Sequence, residues 1–344
     1  MYDKRKIKSQ REKVDKKSIF LHQVSLTAVP NTISEQIIQD TEFIIHNYFT
    51  TFAHDMRTRP TTSYTLNIGG KLLSLDKPLV MGILNATEES FYAPSRSRTQ
   101  EGVAERALKM LDEGASILDV GGCSTKPGLP PVSEEEEMRR LSMALEAIRK
   151  VAPEAIISVD TFRASVAKRC VNDYGANIIN DVYGGQADER MFDTVAELHV
   201  PYILTHSKGA SNPHPTNLDS HDSTNLWQTL TYSLAESINR LHLTGVSDII
   251  VDPGFGFGKT LDDNYLLMAH LEELHLLGCP ILAGVSRKSM IYNLLGNTPE
   301  EALNGTTVLH TIALMKGAHI LRVHDVKAAV EAVEIMTKIN HSRL

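Results

Sequence analysis

Asp252-Pro253-Gly254-Phe255-Gly256-Phe257-Gly258-Lys259 follows the apolar run Ile249-Ile250-Val251, so a carboxylate stands at the end of a predicted strand, immediately before a turn crowded with glycine. Gly254, Gly256 and Gly258 allow positive φ or a close approach to a flat ligand, and Asp252 can accept two parallel hydrogen bonds from an amidine-like edge. The segment reads as the floor of a pocket. Other apolar runs end in different chemistry. Asn85 opens Asn85-Ala86-Thr87-Glu88-Glu89-Ser90-Phe91, and its amide oxygen suits Mg²⁺, which keeps waters and borrows phosphate oxygens instead of demanding an all-protein cage. Asp119-Val120-Gly121-Gly122-Cys123-Ser124-Thr125-Lys126-Pro127-Gly128 is a loop of hydroxyls and a cation able to close over an anionic substrate. Asp160-Thr161, Asn180-Asp181 and Ser286-Arg287-Lys288-Ser289 add carboxylates, an amide and an ammonium. Arg322-Val323-His324-Asp325 sends Arg322 and His324 to one side of a strand, an anion clamp.

Each of these residues also has a local explanation. Asn85 can form a turn, Asp160 or Thr161 can cap the next helix, Asn180-Asp181 can make an Asx turn, and Lys288 can be a solvated helix residue. His206 suits packing and ligand contact equally, and Cys123 has no base tied to it in sequence, so it reads as an ordinary thiol. What favours a ligand is the set: a buried ring of polar groups costs stability unless something satisfies it.

The elements that must position these groups alternate. Short apolar runs at Leu79–Leu84, Ile117–Val120, Ile156–Val159, Ile178–Ile179, Tyr202–Leu204, Ile249–Val251, Ile281–Val285 and Ile320–Val323 are separated by helix-like stretches. One such stretch is Ser133 to Lys150, with a capping box from Ser133 and Glu136 and an apolar stripe of Met138, Leu141, Leu145 and Ile148. Eight strand–helix units predict a (β/α)₈ TIM barrel, whose chemistry sits on the loops leaving the C-terminal strand ends. A doubly wound open sheet is the alternative. Ahead of the barrel, Tyr64–Ile68 and Lys71–Leu75 alternate around Gly69-Gly70, a β-hairpin. Residues 64–344 form the barrel domain in this reading, and 1–63 an N-terminal extension: a solvated basic tail through Lys17, then an appended helix from about Ser34 to His54.

The 344 residues carry 35 Lys and Arg against 42 Asp and Glu, so the charge of −7 excludes a general nucleic-acid surface and any anion site must be local. Three scattered cysteines, Cys123, Cys170 and Cys279, do not make a disulfide framework and fit a reducing compartment, with the cytoplasm as default. No apolar stretch reaches about 18 residues, so no membrane span is expected.

Taken in order, Met81-Gly82-Ile83-Leu84-Asn85, Asp119-Val120-Gly121-Gly122 with Ser124-Thr125-Lys126-Pro127-Gly128, Val159-Asp160-Thr161, Ile179-Asn180-Asp181, Asp252 to Lys259, Ser286-Arg287-Lys288-Ser289 and Arg322-Val323-His324-Asp325 resemble the dihydropteroate synthase family, from about Thr65 to the C-terminus. The resemblance implies a TIM barrel that joins 6-hydroxymethyl-7,8-dihydropterin diphosphate to 4-aminobenzoate, releasing diphosphate, with Mg²⁺ as cofactor, sulfonamides as competitors and a homodimer as the assembly. It implies that Asp160, Asn180, Asp252, Gly256 and Lys288 read the pterin, that Asn85 contacts the metal, and that Arg322 and His324 hold the diphosphate. Thr125 would touch both substrates, and Phe257 and Ser289 would lie by the aminobenzoate. The catalytic set it implies is Asp160, Lys288, Arg322 and His324. The chain departs from the family pattern at Glu88-Glu89 (usually Pro-Asp), at Lys126 (usually Arg) and at Thr205-His206-Ser207 (usually Met-His-Met). Two readings compete: a pterin-binding methyltransferase with a corrinoid partner, and a non-catalytic pterin-binding paralogue.

Overall fold

The structure, a computed structural model, describes residues 63–86, 99–123, 131–208 and 223–342. The N-terminal extension and the loops with Glu88, Glu89, Thr125 and Lys126 lie outside the described residues.

The chain enters through a hairpin of β1 (Thr65–Ile68) and β2 (Lys71–Ser74), paired antiparallel from Ile68↔Lys71 outward. Its two-residue turn holds Gly69 at φ 57° and Gly70 at φ 87°, a conformation that glycine adopts without steric cost. Eight parallel strands follow: β3 (Leu79–Asn85), β4 (Ile117–Gly121), β5 (Ile157–Asp160), β6 (Ile178–Asp181), β7 (Tyr202–Thr205), β8 (Ile249–Asp252), β9 (Leu282–Ala283) and β10 (Ile320–Val323). Each neighbours the next in chain order, β10 returns to pair with β3, and a parallel bridge Val251↔Ile281 joins β8 to the run that leads into β9. A doubly wound sheet would reverse strand order at its switch point. This one runs round without reversal, so the barrel reading holds. β9 is shorter than its apolar run suggests, because Ile281 pairs towards β8 while only Leu282 and Ala283 pair with β10.

The outer helices are α1 (Gln100–Asp112), α2 (Glu134–Val151), α3 (Ala164–Tyr174), α4 (Met191–Leu198), α5 (Ser223–Thr244), α6 (Leu261–Ala269), α7 (Ser289–Leu295), α8 (Leu303–Met315) and α9 (Val326–His341), with a 3₁₀ segment at Leu271–Leu277. In α2 the stripe Met138, Leu141, Leu145 and Ile148 is buried as its spacing predicts. The capping box is only half formed. Ser133 accepts from the Glu136 amide at 3.2 Å, but the Glu136 carboxylate turns to Arg139 and Arg140 instead, trading a neutral donor for two charged ones.

Two apolar layers position the site. Outward strand residues and helix stripes form the larger core. Inside the barrel, Met81, Ile117, Ile178, Ile203, Ile250, Leu282 and Ile320, near the N-terminal ends of their strands, pack with Leu66, Ile68 and Leu75 of the hairpin. The hairpin therefore plugs the lower mouth, each fully buried Leu or Ile contributing roughly 1.5–3 kcal/mol, and the Asn67 backbone N–H ties it to the barrel by donating to Asp248 Oδ2 at 2.8 Å. Side chains on one strand face alternate sides. Two residues above the plug, the lumen is consequently lined by Ile83, Asp119, Asn180, Thr205, Asp252, Gly284 and Arg322, with Asp160 on β5 two residues above the inward Ser158.

Candidate active site

Asp119, fully buried on β4, is the hub of the lumen. Its Oδ2 accepts from Arg322 Nε at 2.6 Å and from Asn180 Nδ2 at 3.1 Å. Arg322 also donates to Asp160 Oδ2 at 2.5 Å, so one guanidinium from β10 bridges two carboxylates from β4 and β5. Asn180 is adjacent to Asp160 by register. Gly121 supplies no side chain between Asp160 and Asn85: a Cβ there would stand 3.3 Å from Asn85 Oδ1 and 3.7 Å from Asp160 Cβ.

The opposite wall comes from β8 and β9. Asp252 Oδ1 accepts from the Gly254 amide at 2.7 Å, and a Cβ on Gly284 would meet Asp252 Oδ2 at 3.6 Å and Lys288 Nζ at 3.9 Å, which places carboxylate and ammonium on the same side of the lumen. Lys288 donates to the Phe255 carbonyl, its Nζ lies 4.7 Å from the Phe257 ring centroid, and its Cδ would touch a Cβ on Gly256. Ser289 begins α7 directly after it, half-buried. Asp160, Asn180, Asp252, Gly256, Phe257, Lys288, Ser289 and Arg322 are thus brought to one end of one barrel, while Thr125 lies outside the described residues.

Burial sets the electrostatics. It raises Asp160 to about 7, with Asp119 and Glu137 adding repulsion and Arg322 pulling the other way. It raises Asp252 as well, opposed by Lys288 and the Gly254 amide. Lys288 falls to about 8 for the same reason. His324 follows Arg322 on the same side of β10, its amide and Nδ1 at 3.1 and 3.2 Å from Ser286 Oγ; burial and the Arg322 charge push it down to about 3. At neutral pH it therefore offers an anion a hydrogen bond and no charge.

Sequence reasoning passes over several groups that hold this arrangement. Lys259, half-buried and pushed down to about 7 by desolvation, donates to the carbonyls of His206 (2.9 Å), Gly254 (2.8 Å) and Phe257 (3.3 Å), lashing the β7 and β8 loops together. The loops approach so closely that a Cβ on Gly254, already at φ 71°, would lie 1.9 Å from the His206 carbonyl oxygen. Gly254→Ala should consequently destabilise the protein by about 3 kcal/mol or more, read as a lower denaturation midpoint; an unchanged midpoint would contradict the packing of these loops. Glu137 hides in the acidic run that opens α2, yet it is fully buried, accepting from Thr161 Oγ1 at 2.6 Å and from Arg163. Neither Asp160 nor Thr161 caps α3: its N-cap, Arg163, makes no side-chain cap bond, and Thr161 braces Glu137 instead. Asp181 forms the expected turn, accepting from Tyr183, Gly185 and the Tyr202 hydroxyl. Arg287, at φ 53°, grips Asp325 at 2.7 and 2.9 Å and the carbonyls of Pro299 and Glu300, fixing the turn that presents Lys288. Cys123, Cys170 and Cys279 are buried thiols, none in a disulfide.

Known proteins resemble this chain over most of its length. The pterin binding enzyme family matches residues 81–324, from β3 to His324. The dihydropteroate synthase of Escherichia coli (strain K12) is 40% identical over 269 residues, spanning 78% of this chain and 93% of that one. This chain belongs to the dihydropteroate synthase family of pterin-binding enzymes. Solved structures of the family superpose on it. Xanthomonas albilineans dihydropteroate synthase with 4-aminobenzoic acid has a TM-score of 0.71 at 39% identity, covering 81% of this chain and 99% of that one. A Coxiella burnetii dihydropteroate synthase in complex with pteroic acid has a TM-score of 0.72 at 38% identity, covering 80% and 98%. The family's eight-stranded barrel is the architecture described above.

Proposed function

We propose that the chain is a dihydropteroate synthase, a transferase of folate biosynthesis that condenses 6-hydroxymethyl-7,8-dihydropterin diphosphate with 4-aminobenzoate to give 7,8-dihydropteroate and diphosphate. The observation that carries this reading is the convergence of Asp252, Asn180, Lys288, Asp160 and Arg322 on one lumen, in a chain that matches 93% of the Escherichia coli dihydropteroate synthase. Asp252 and Asn180 present acceptors and donors to the edge of a planar nitrogen ring, and Lys288 meets its acceptor atoms. Phe257, beside Lys288, flanks the aminobenzoate together with Ser289.

The chemistry follows from where charge develops. As the bond from the pterin methylene to the diphosphate oxygen breaks, the carbon becomes cationic and the leaving group gains charge. Asp160 stabilises the first, Arg322 and the His324 N–H the second. The aromatic amine then supplies its electron pair to the carbon and loses a proton, so no protein nucleophile is required. Asn85 fits a magnesium ion, because its Oδ1 is a hard oxygen donor on the lumen side beside Gly121. Bound there with phosphate oxygens and water, the ion would offset diphosphate charge. A homodimer belongs to the same proposal, supported by the exposed apolar residues Val308 on α8 and Ile335 and Ile339 on α9. So does a cytoplasmic location, supported by three cysteines kept as thiols. Among the described residues no helix is long and apolar enough to cross a membrane.

Purified protein given the pterin diphosphate, Mg²⁺ and 4-aminobenzoate should form dihydropteroate. Tight pterin binding with no product would instead indicate a non-catalytic paralogue, and corrinoid-dependent methyl transfer a methyltransferase. The pH profile gives a second test. Asp160 works as the anion, so kcat/KM should rise through pH about 7; Lys288 works as the cation, so it should fall above about 8. Lys288→Arg, which stays protonated, should abolish the falling limb whatever it does to the maximum. A falling limb that persists in that variant assigns it to another group.

A further inference from the structure

Thr205, the last residue of β7, is 1% exposed and stands in register with Asp252 on β8. Along β7, Tyr202 and Leu204 belong to the outer core and Ile203 to the lumen plug, so Thr205 faces the lumen beside Asp252. Its Oγ1 is buried without a hydrogen-bond partner among the described residues. An unsatisfied buried hydroxyl destabilises a fold, and valine would fill nearly the same space without that cost. The other orphaned lumen oxygens, Asp119 Oδ1 and Ser158 Oγ, stand in register with each other on β4 and β5. Thr205 is in register with the ring-reading carboxylate itself.

We propose that Thr205 is a specificity-determining residue, its hydroxyl hydrogen-bonding a heteroatom of the pterin ring next to the edge held by Asp252. Neighbouring strands lie about 4.8 Å apart, a spacing at which two side chains reach separate atoms of one bicyclic ring. The hydroxyl can donate or accept, so it meets either a ring nitrogen or an exocyclic N–H. A ring bound in the lumen would give the Thr205 hydroxyl the partner that the protein itself does not supply among the described residues. The inference rests on the reading given under Proposed function.

The test uses the full chain and two variants, Thr205→Val and Thr205→Ser, titrated calorimetrically with 6-hydroxymethyl-7,8-dihydropterin diphosphate, assayed at steady state and melted without ligand. Thr205→Val should raise Kd and KM for the pterin diphosphate by about 5- to 20-fold, leave KM for 4-aminobenzoate near wild type, and melt at or above the wild-type temperature. Thr205→Ser should bind within about twofold of wild type. Wild-type affinity in Thr205→Val would overturn the proposal, as would a loss of affinity accompanied by an equal loss in Thr205→Ser and a lower melting temperature, which would mark a packing role. Failure of the wild-type protein to bind the pterin diphosphate would overturn the functional reading beneath it, a result distinct from wild-type binding with an indifferent Thr205→Val.

Discussion

Asp252→Ala should lower kcat/KM for the pterin diphosphate by about 10³-fold while the barrel stays folded. Hydrogen bonds to a charged group contribute roughly 1.5–3 kcal/mol each, and the Asp252 carboxylate has room for two from the ring besides the one it accepts from Gly254. Its loss also removes the anion that favours the charged form of Lys288, so the side chain sheds its proton at lower pH and the ring's acceptor side loses a charged donor. Stability should move much less, because burying the carboxylate already disfavours its charged form and its removal relieves that cost. Asp252→Asn keeps an acceptor for the Gly254 amide but presents an N–H where the ring has one, and should be impaired nearly as far. Pterin binding by calorimetry beside steady-state kinetics decides the matter; a loss below about tenfold would mean that the ring is held elsewhere.

Arg322→Leu should damage both fold and catalysis. Asp119 and Asp160 are 0% and 9% exposed at their side chains, and the guanidinium between them is their shared cation. Removing one partner of a buried ion pair leaves uncompensated charge and costs about 3–5 kcal/mol, which for a domain of this size lowers Tm by about 10 °C. Asp119→Asn added to Arg322→Leu should recover part of that loss, since the amide needs no counter-charge. Recovery of the melting temperature without recovery of rate is the expected signature of a group that also faces the diphosphate. An Arg322→Leu protein as stable as wild type would mean that the two carboxylates are held apart from the guanidinium in solution.

Much of this site is legible in the order of the amino acids, and for a definite reason. Polar residues at the ends of apolar runs declare themselves, since a carboxylate such as Asp252 or Asp160 has no place in a strand unless something meets it. Alternation by two then assigns faces, which is how Arg322 and His324 come to one side. The groups that escape do so because pattern gives faces but no partners. Asp119 reads as the start of a loop, and only the pairing of β4 with β5 and the reach of Arg322 across the barrel make it the hub. Glu137 sits in a row of four glutamates that reads as a helix N-terminus favoured by the macrodipole; that it alone turns inward to Thr161 and Arg163 depends on helix phase relative to the barrel. Lys259 reads as part of a glycine motif, and its hold on the His206 carbonyl joins residues 53 positions apart. Thr205 is visible as a departure from the family pattern, while the orphaning of its hydroxyl follows only from what surrounds it in the folded barrel.

Side chains from β6, β8 and the β9 loop are expected to meet one planar nitrogen ring at once, and a crystal structure of the protein with pteroic acid tests this most directly. The expected result places the ring inside the barrel, its N–H edge on both Asp252 carboxylate oxygens, Asn180 along the same rim and Lys288 at the ring's acceptor side, with the aryl arm towards Phe257. Density for the ligand outside the lumen, or inside it with Asp252 more than a hydrogen bond away, would contradict it.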